Sequence, residues 1–196
     1  MAKGEQTRHE IIDRALALAG EVGLEGLSLG VLAAGMNLSK SGLFAHFKSK
    51  EVLQVEVLEK AIDDFIQAVV LPAIKSPRGE PRVRSLFDRH LDWIRGPEGS
   101  GRCFFMALTQ EYDDRPGPVR DLLVQSQRDW YDTLARAART AVEEGHFRAG
   151  LDADQFAYEV VGIAMVFQQV HKLLDNPRAE ERARTAFEAL LARSRS

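Results

Sequence analysis

Apolar residues recur every three or four positions along most of this chain, the period of helices that bury one face. Nowhere do they alternate in the two-residue rhythm of strands bounded by hairpin turns. Thr7-x-x-Glu10 has the form of a capping box, so a first helix is predicted to open at Thr7. Ile12, Ala15, Leu16 and Ala19 supply its apolar face, and Gly23 ends it. Ser28 is the next cap, with Leu27 and Leu32 spaced as a hydrophobic staple across it. That short helix ends near Asn37, one of the few non-glycine residues that tolerate a left-handed turn. Ser39 opens a third short helix. Ser49 opens a long fourth one with Glu51 in its first turn, and Leu58, Ala61, Ile62, Phe65, Ile66 and Val69 keep one side apolar until Pro72.

Beyond the loop KSPRGEP (75–81), five more helices are predicted at 82–95, 102–113, 117–144, 153–174 and 178–193. GPEGSG (96–101) and EYDDRPGP (111–118) are the breaks around the second of these. Asp152-x-x-Gln155, with Leu151 and Phe156 as its staple, opens the fourth, and Asn176-Pro177 separates the last two. The expected fold is all-α with about nine helices: a three-helix head, a long connecting helix (49–71) and a five-helix body. The expected division is residues 1–50 and 51–196.

Composition narrows the class. With 196 residues, 45% hydrophobic and 28% charged, the chain is an ordinary globular one. A net charge of −3 excludes histone-like basicity, so contact with nucleic acid must come from a local patch. Cys103 is the single cysteine, which forbids an intrachain disulfide and suits a reducing compartment. MAKGEQTRHE has no apolar core of a secretory signal, and the longest apolar run, VVGIAMVF (160–167), is far below a membrane span. A cytoplasmic protein is expected.

The local patch exists. No Asp or Glu occurs from Gly26 to Lys50, and NLSKSGLFAHFKSK (37–50) places Lys40, Lys48 and Lys50 in that acid-free window. Such a run by itself also describes a plain solvated face. Its setting is more specific: short helix, Asn turn, short helix, and a buried set of Leu32, Leu38, Leu43 and Phe47 make a helix-turn-helix. In that unit the third helix enters the major groove with its N-terminal residues toward base edges. Here those residues are Ser39, Lys40, Ser41 and Gly42. Lysine donates to guanine O6 or N7, serine pairs with several bases, and small side chains let the backbone approach the groove floor. A carboxylate would repel the phosphates, which accounts for the missing acids.

The stretch TRHEIIDRALALAGEVGLEGLSLGVLAAGMNLSKSGLFAHFKSKEVL, closest around LSKSGLFAHFKSKE, resembles the TetR family of bacterial transcriptional regulators. The resemblance implies a homodimeric, DNA-binding repressor with an effector-binding C-terminal body. Position by position it implies Ser28 on phosphate, Lys40, Ser41 and Gly42 toward bases, Phe44 against DNA, and Lys50 on phosphate, with Arg8 as a further phosphate contact. Gly30, Gly42 and Ala45 depart from the family pattern by lacking longer side chains, and Asn37 replaces the usual turn glycine. His46, beside Phe47, is read as support for the third helix, although a DNA ligand or pH switch is the rival reading.

GRCFFMALTQEYDD with RPGPVR, and EEGHFRAGLDADQF, also resemble the family's effector body. The resemblance implies that the last two helices pair with their twofold mates. Val160, Ile163, Phe167, Val170, Phe187, Leu190 and Leu191 are the expected interface, with simple intrachain core as the alternative. Trp93, Phe105, Met106, Gln110, Trp130, Phe167 and His171 are candidate pocket residues for an unidentified, mainly apolar effector. Cys103, after a glycine-rich loop and beside Arg102, is either a redox sensor or a buried inert thiol, the latter preferred.

Catalysis finds little support. The histidines at 9, 46, 90, 146 and 171 lack metal-ligand spacing, no Gly-x-Ser-x-Gly elbow occurs, and the GPEGSG glycines follow no strand. No cofactor is expected. Two functions therefore compete: a ligand-responsive repressor on a pseudo-palindromic operator, and a small-molecule-binding helical protein that has lost DNA binding.

Overall fold

The structure is a computed structural model describing residues 3–96 and 104–196, without the side chains of Lys3, Lys40 and Phe44. Among the described residues it has nine helices and no strand. They are α1 (Lys3–Val22), α2 (Leu29–Gly35), α3 (Lys40–His46), α4 (Lys50–Phe65), α5 (Glu80–Arg95), α6 (Phe104–Tyr112), α7 (Pro118–Glu143), α8 (Ala153–Gln168) and α9 (Ala179–Ser194). Two of them run on through wider π turns. α4 continues through Ile66–Val70 into a last α turn, Leu71–Ile74, and α8 through Gln169–Leu173. The all-α reading holds.

Two boundaries differ from expectation for local reasons. α1 does not wait for Thr7, because Gln6 bonds Glu10 at 3.4 Å and the Glu5 carbonyl bonds His9 Nδ1 at 2.8 Å, carrying the helix back to Lys3. α4 does not stop at Pro72. The Leu71 N–H reaches back five residues to Ile66, and this widened turn accommodates a proline that lacks a donor and would crowd a normal turn. The expected start of α6 at residue 102 lies outside the described residues, as does Cys103.

The chain forms two compact units: Met1–Asp64 with Arg102–Ser126, and Phe65–Gly101 with Gln127–Ser196. In the first, Ile11, Ala15 and Ala19 of α1 face Leu32 of α2, Leu43 of α3, and Leu53, Val57 and Leu58 of α4. Leu108 and Tyr112 of α6 and Val119 and Leu123 of α7 complete this core. In the second, α5, the rest of α7, α8 and α9 close around Phe87, Leu134, Phe156, Val160, Phe167 and Phe187. Phe87 and Phe187 stack face to face with centroids 3.8 Å apart. The chain end is tied down as well: Arg148 N–H donates to Ser194 O at 2.8 Å, and Arg195 grips Glu80 at 2.6 and 2.9 Å.

Candidate nucleic-acid interface

The helix-turn-helix is built by its caps. Ser28 caps α2 and accepts from Val31 N–H at 3.4 Å. At the other end the Leu38 N–H bonds Ala33 O and the Asn37 N–H bonds Ala34 O, the paired pattern of a Schellman stop, with Asn37 at φ 54° as its left-handed residue. Ser39 caps α3, accepting from Gly42 N–H at 3.0 Å, and its hydroxyl also lies 3.1 Å from that of Ser41. Leu43 and Phe47 turn inward, leaving Ser28, Ser39, Ser41, Ala45 and Lys48 exposed. Lys40 is the first residue of α3 and Phe44 lies on the same short helix. A side chain added at Gly42 would come 3.1 Å from Ser39 Oγ, so the capping serine itself crowds this position.

Two of the proposed phosphate contacts already have partners within the molecule. The Arg8 guanidinium binds Glu56 through Nε at 3.0 Å and again through Nη2, donates to His46 O, and lies over the Phe47 ring at 4.5 Å. It ties α1 to α4 and to the end of α3. His46 is half-buried with its ring 6.5 Å from Phe47, in keeping with a supporting part. Lys50 Nζ donates to Glu25 O at 2.5 Å and lies 3.5 Å from Glu25 Oε2. Burial works to raise the Glu25 carboxyl, but the Tyr112 hydrogen bond, the Lys50 charge and the Gln54 amide hold it below the usual carboxylate range. Glu25, Gln54, Glu111 and Tyr112 escaped the sequence reading, since no local pattern announces partners 25 to 87 residues apart.

In the second unit Phe65 meets Trp130, Trp93 and His90 edge to face, with centroids 5.0, 5.6 and 5.7 Å away, and His90 lies 5.2 Å from Trp130. His90 Nδ1, Trp130 Nε1 and Gln168 Oε1 are buried without a hydrogen-bond partner, the three such side-chain atoms among the described residues. Burial alone pushes His90 down to about 4, so it is neutral at physiological pH. Phe65 and His90, named from sequence only as a helix-face residue and one of the scattered histidines, and Gln168 were not among the expected pocket residues, although His90 sits one turn before Trp93. Of the other expected pocket residues, Phe167 and His171 stack at 5.3 Å here, whereas Phe105, Met106 and an exposed Gln110 belong to α6 of the first unit.

The expected interface residues divide. Val160, Phe167, Phe187, Leu190 and Leu191 are at most 3% exposed within one chain, already covered by their own core. Helical spacing alone could not separate an inner apolar face from an outer one. The outer face of α8 and its π turn carries Tyr158, Met165, Val166 and Leu173, between 45% and 76% exposed. Ile163 and Val170 line an apolar groove of about 450 Å³ with Gly162, Val166, Ala183 and Ala186. Among the described residues no group of three or more His, Cys, Asp or Glu could hold a metal ion, and no helix is long and apolar enough to cross a membrane.

Residues 11–57 match the family described as bacterial regulatory proteins, tetR family, and residues 79–187 match the tetracyclin repressor-like C-terminal domain. The chain belongs to the TetR family of transcriptional regulators. It is similar to the HTH-type transcriptional repressor KstR2 of Mycobacterium tuberculosis, at 25% identity over 156 residues, 75% of this chain and 72% of that one. A TetR transcriptional regulator from Chloroflexus aurantiacus shares the fold with a TM-score of 0.86 at 21% identity, over 98% of this chain and 96% of the other. AibR, solved with isovaleryl coenzyme A and operator DNA, shares it with a TM-score of 0.72 at 21% identity, over 93% and 95%. This protein is thus a DNA-binding transcriptional regulator with a ligand-binding C-terminal domain. Regulators of this family are in general not enzymes.

Proposed function

We propose that this regulator is a cytoplasmic repressor that binds a pseudo-palindromic operator as a homodimer and is released by a small, mainly apolar effector. One observation carries the DNA reading: a serine-capped helix α3 presents small polar residues from a window, Gly26 to Lys50, that contains no carboxylate. Ser39, Lys40, Ser41 and Gly42 would face bases, Phe44 would lie against DNA, and Ser28 and Lys50 would meet phosphate. Arg8, engaged with Glu56 and His46, would instead hold the head in shape. The functional division then falls near residue 50, with reading before it and sensing after it.

Dimerisation is best served by the outer face of α8 and the groove beside it, since exposed Tyr158, Met165, Val166 and Leu173 form more apolar surface than an isolated chain needs. The effector would bind in the second unit beside Trp93 and Trp130. There His90 Nδ1 and Trp130 Nε1, whose rings lie 5.2 Å apart, offer a neutral ligand two nitrogens that the protein leaves unused. KstR2 is a repressor by name and AibR was solved with both a ligand and its operator, which supports the pairing of these activities. An effector that prefers the released state about a hundredfold contributes about 2.7 kcal/mol per site.

A second reading, a small-molecule-binding protein without DNA activity, draws on Gly30, Gly42 and Ala45, which carry no long donors. Gel retardation on fragments of the source genome decides between them. The regulator retards a subset of fragments and releases them with a compound found by screening. Failure to retard any fragment, including its own promoter, sinks the DNA reading.

A further inference from the structure

The loop between α1 and α2 is held from an unexpected side. Glu111, near the end of α6, accepts both the Leu24 N–H at 3.0 Å and the Glu25 N–H at 2.6 Å, so one carboxylate clamps two successive backbone donors. The path of the loop also depends on its glycines. Gly23 is at φ 80° with the Glu111 carboxylate packed above it, and a Cβ at Gly26 would fall 2.2 Å from Val22 O. Tyr112 then fixes the Glu25 side chain, donating to Oε1 at 2.9 Å, and buried Gln54 adds bonds to Leu24 O at 2.9 Å and Glu25 Oε1 at 3.4 Å. Arg115 stands farther off, 3.8 Å from Oε2.

Glu25 is therefore an anion at a fixed place, and it faces Lys50 at the N-terminus of α4. That is the spot where a DNA phosphate would sit, drawn by the ammonium and by the partial positive charge of the helix end. We propose that Glu25 competes with DNA phosphate for Lys50, and that Glu111 and Tyr112 of α6 are positioning residues that keep this rival in place. The grip on DNA is then weaker than the cationic face alone would give, and α6 sets how far Lys50 is withheld. The inference rests on the reading of Lys50 as a phosphate contact.

The test measures binding of the full-length protein to a mixed-sequence duplex as salt is varied, for wild type, Glu25→Gln, Lys50→Ala, the double variant and Tyr112→Phe. Lys50→Ala lowers the salt slope by about one unit. Glu25→Gln, which keeps an acceptor for Tyr112, binds DNA about three- to tenfold tighter, the range set by a screened charge pair near one kcal/mol. Tyr112→Phe shifts affinity the same way by less. In the Lys50→Ala background the Glu25→Gln gain vanishes. A gain that persists there is general charge repulsion and overturns the competition, as does no gain at all. An unchanged slope in Lys50→Ala overturns the phosphate reading itself, a separate outcome. Thermal unfolding of each variant shows whether a change in binding reflects loss of fold instead.

Discussion

His90 shows how much a single side chain in this protein responds to its surroundings. It is enclosed by the edges of Phe65 and Trp130, and burial holds its pKa near 4 against an ordinary value of 6.5. Between those values the unfolded chain takes up a proton that the folded one refuses, so stability is full above pH 6.5 and falls as pH drops through 4. The shift corresponds to about 3 kcal/mol. His90→Phe is expected to flatten the dependence of chemical denaturation on pH across that window, and an unchanged dependence would show that His90 is not the group responsible. Asn37, left-handed at φ 54°, gives a second local prediction. Asn37→Gly relieves backbone strain and also frees the unfolded chain, so thermal unfolding should range from unchanged to about 1 kcal/mol more stable. Residue-scale features that act within a few positions were legible in the sequence: the caps at Ser28, Ser39 and Asp152 stand as read. Partnerships such as Arg8 with Glu56 or Lys50 with Glu25 were not, because the fold alone creates them.

Helices were legible as elements wherever one face is apolar and the other polar, which is why nine were expected and nine are present among the described residues. The apolar face toward a core and the apolar face toward a partner share the same period, and α8 carries both. Phe187 and Val166 test the division. Phe187, 3% exposed and stacked on Phe87, belongs to one chain's core, so Phe187→Ala should lower unfolding stability by about 3–5 kcal/mol. Val166, 59% exposed, should leave the fold intact when changed to Glu yet shift the sedimenting species from dimer to monomer. Val166→Glu protein that still sediments as a dimer would place the interface elsewhere. The π turns in α4 and α8 had no signature beyond Pro72 in the first, since each replaces a regular turn by one residue's worth of extra backbone.

For the whole molecule, two kinds of signal in the sequence were unequal. The head was legible because its signal lies in one short run, acid-free from Gly26 to Lys50 with small residues at the start of α3, the chemistry that contact with DNA would ask for. The body was legible only as helices, since an effector pocket is assembled from side chains far apart in the chain. In the second unit Trp93, Trp130 and Phe65 meet although Trp93 and Trp130 stand 37 positions apart. On the proposed reading, two copies of that head bind DNA together. Hydroxyl-radical footprinting on a fragment the protein retards tests it most directly. Two protected patches whose centres lie about ten base pairs apart, or a multiple of that, over an inverted repeat are the predicted result. A single protected patch without a symmetric mate would contradict it.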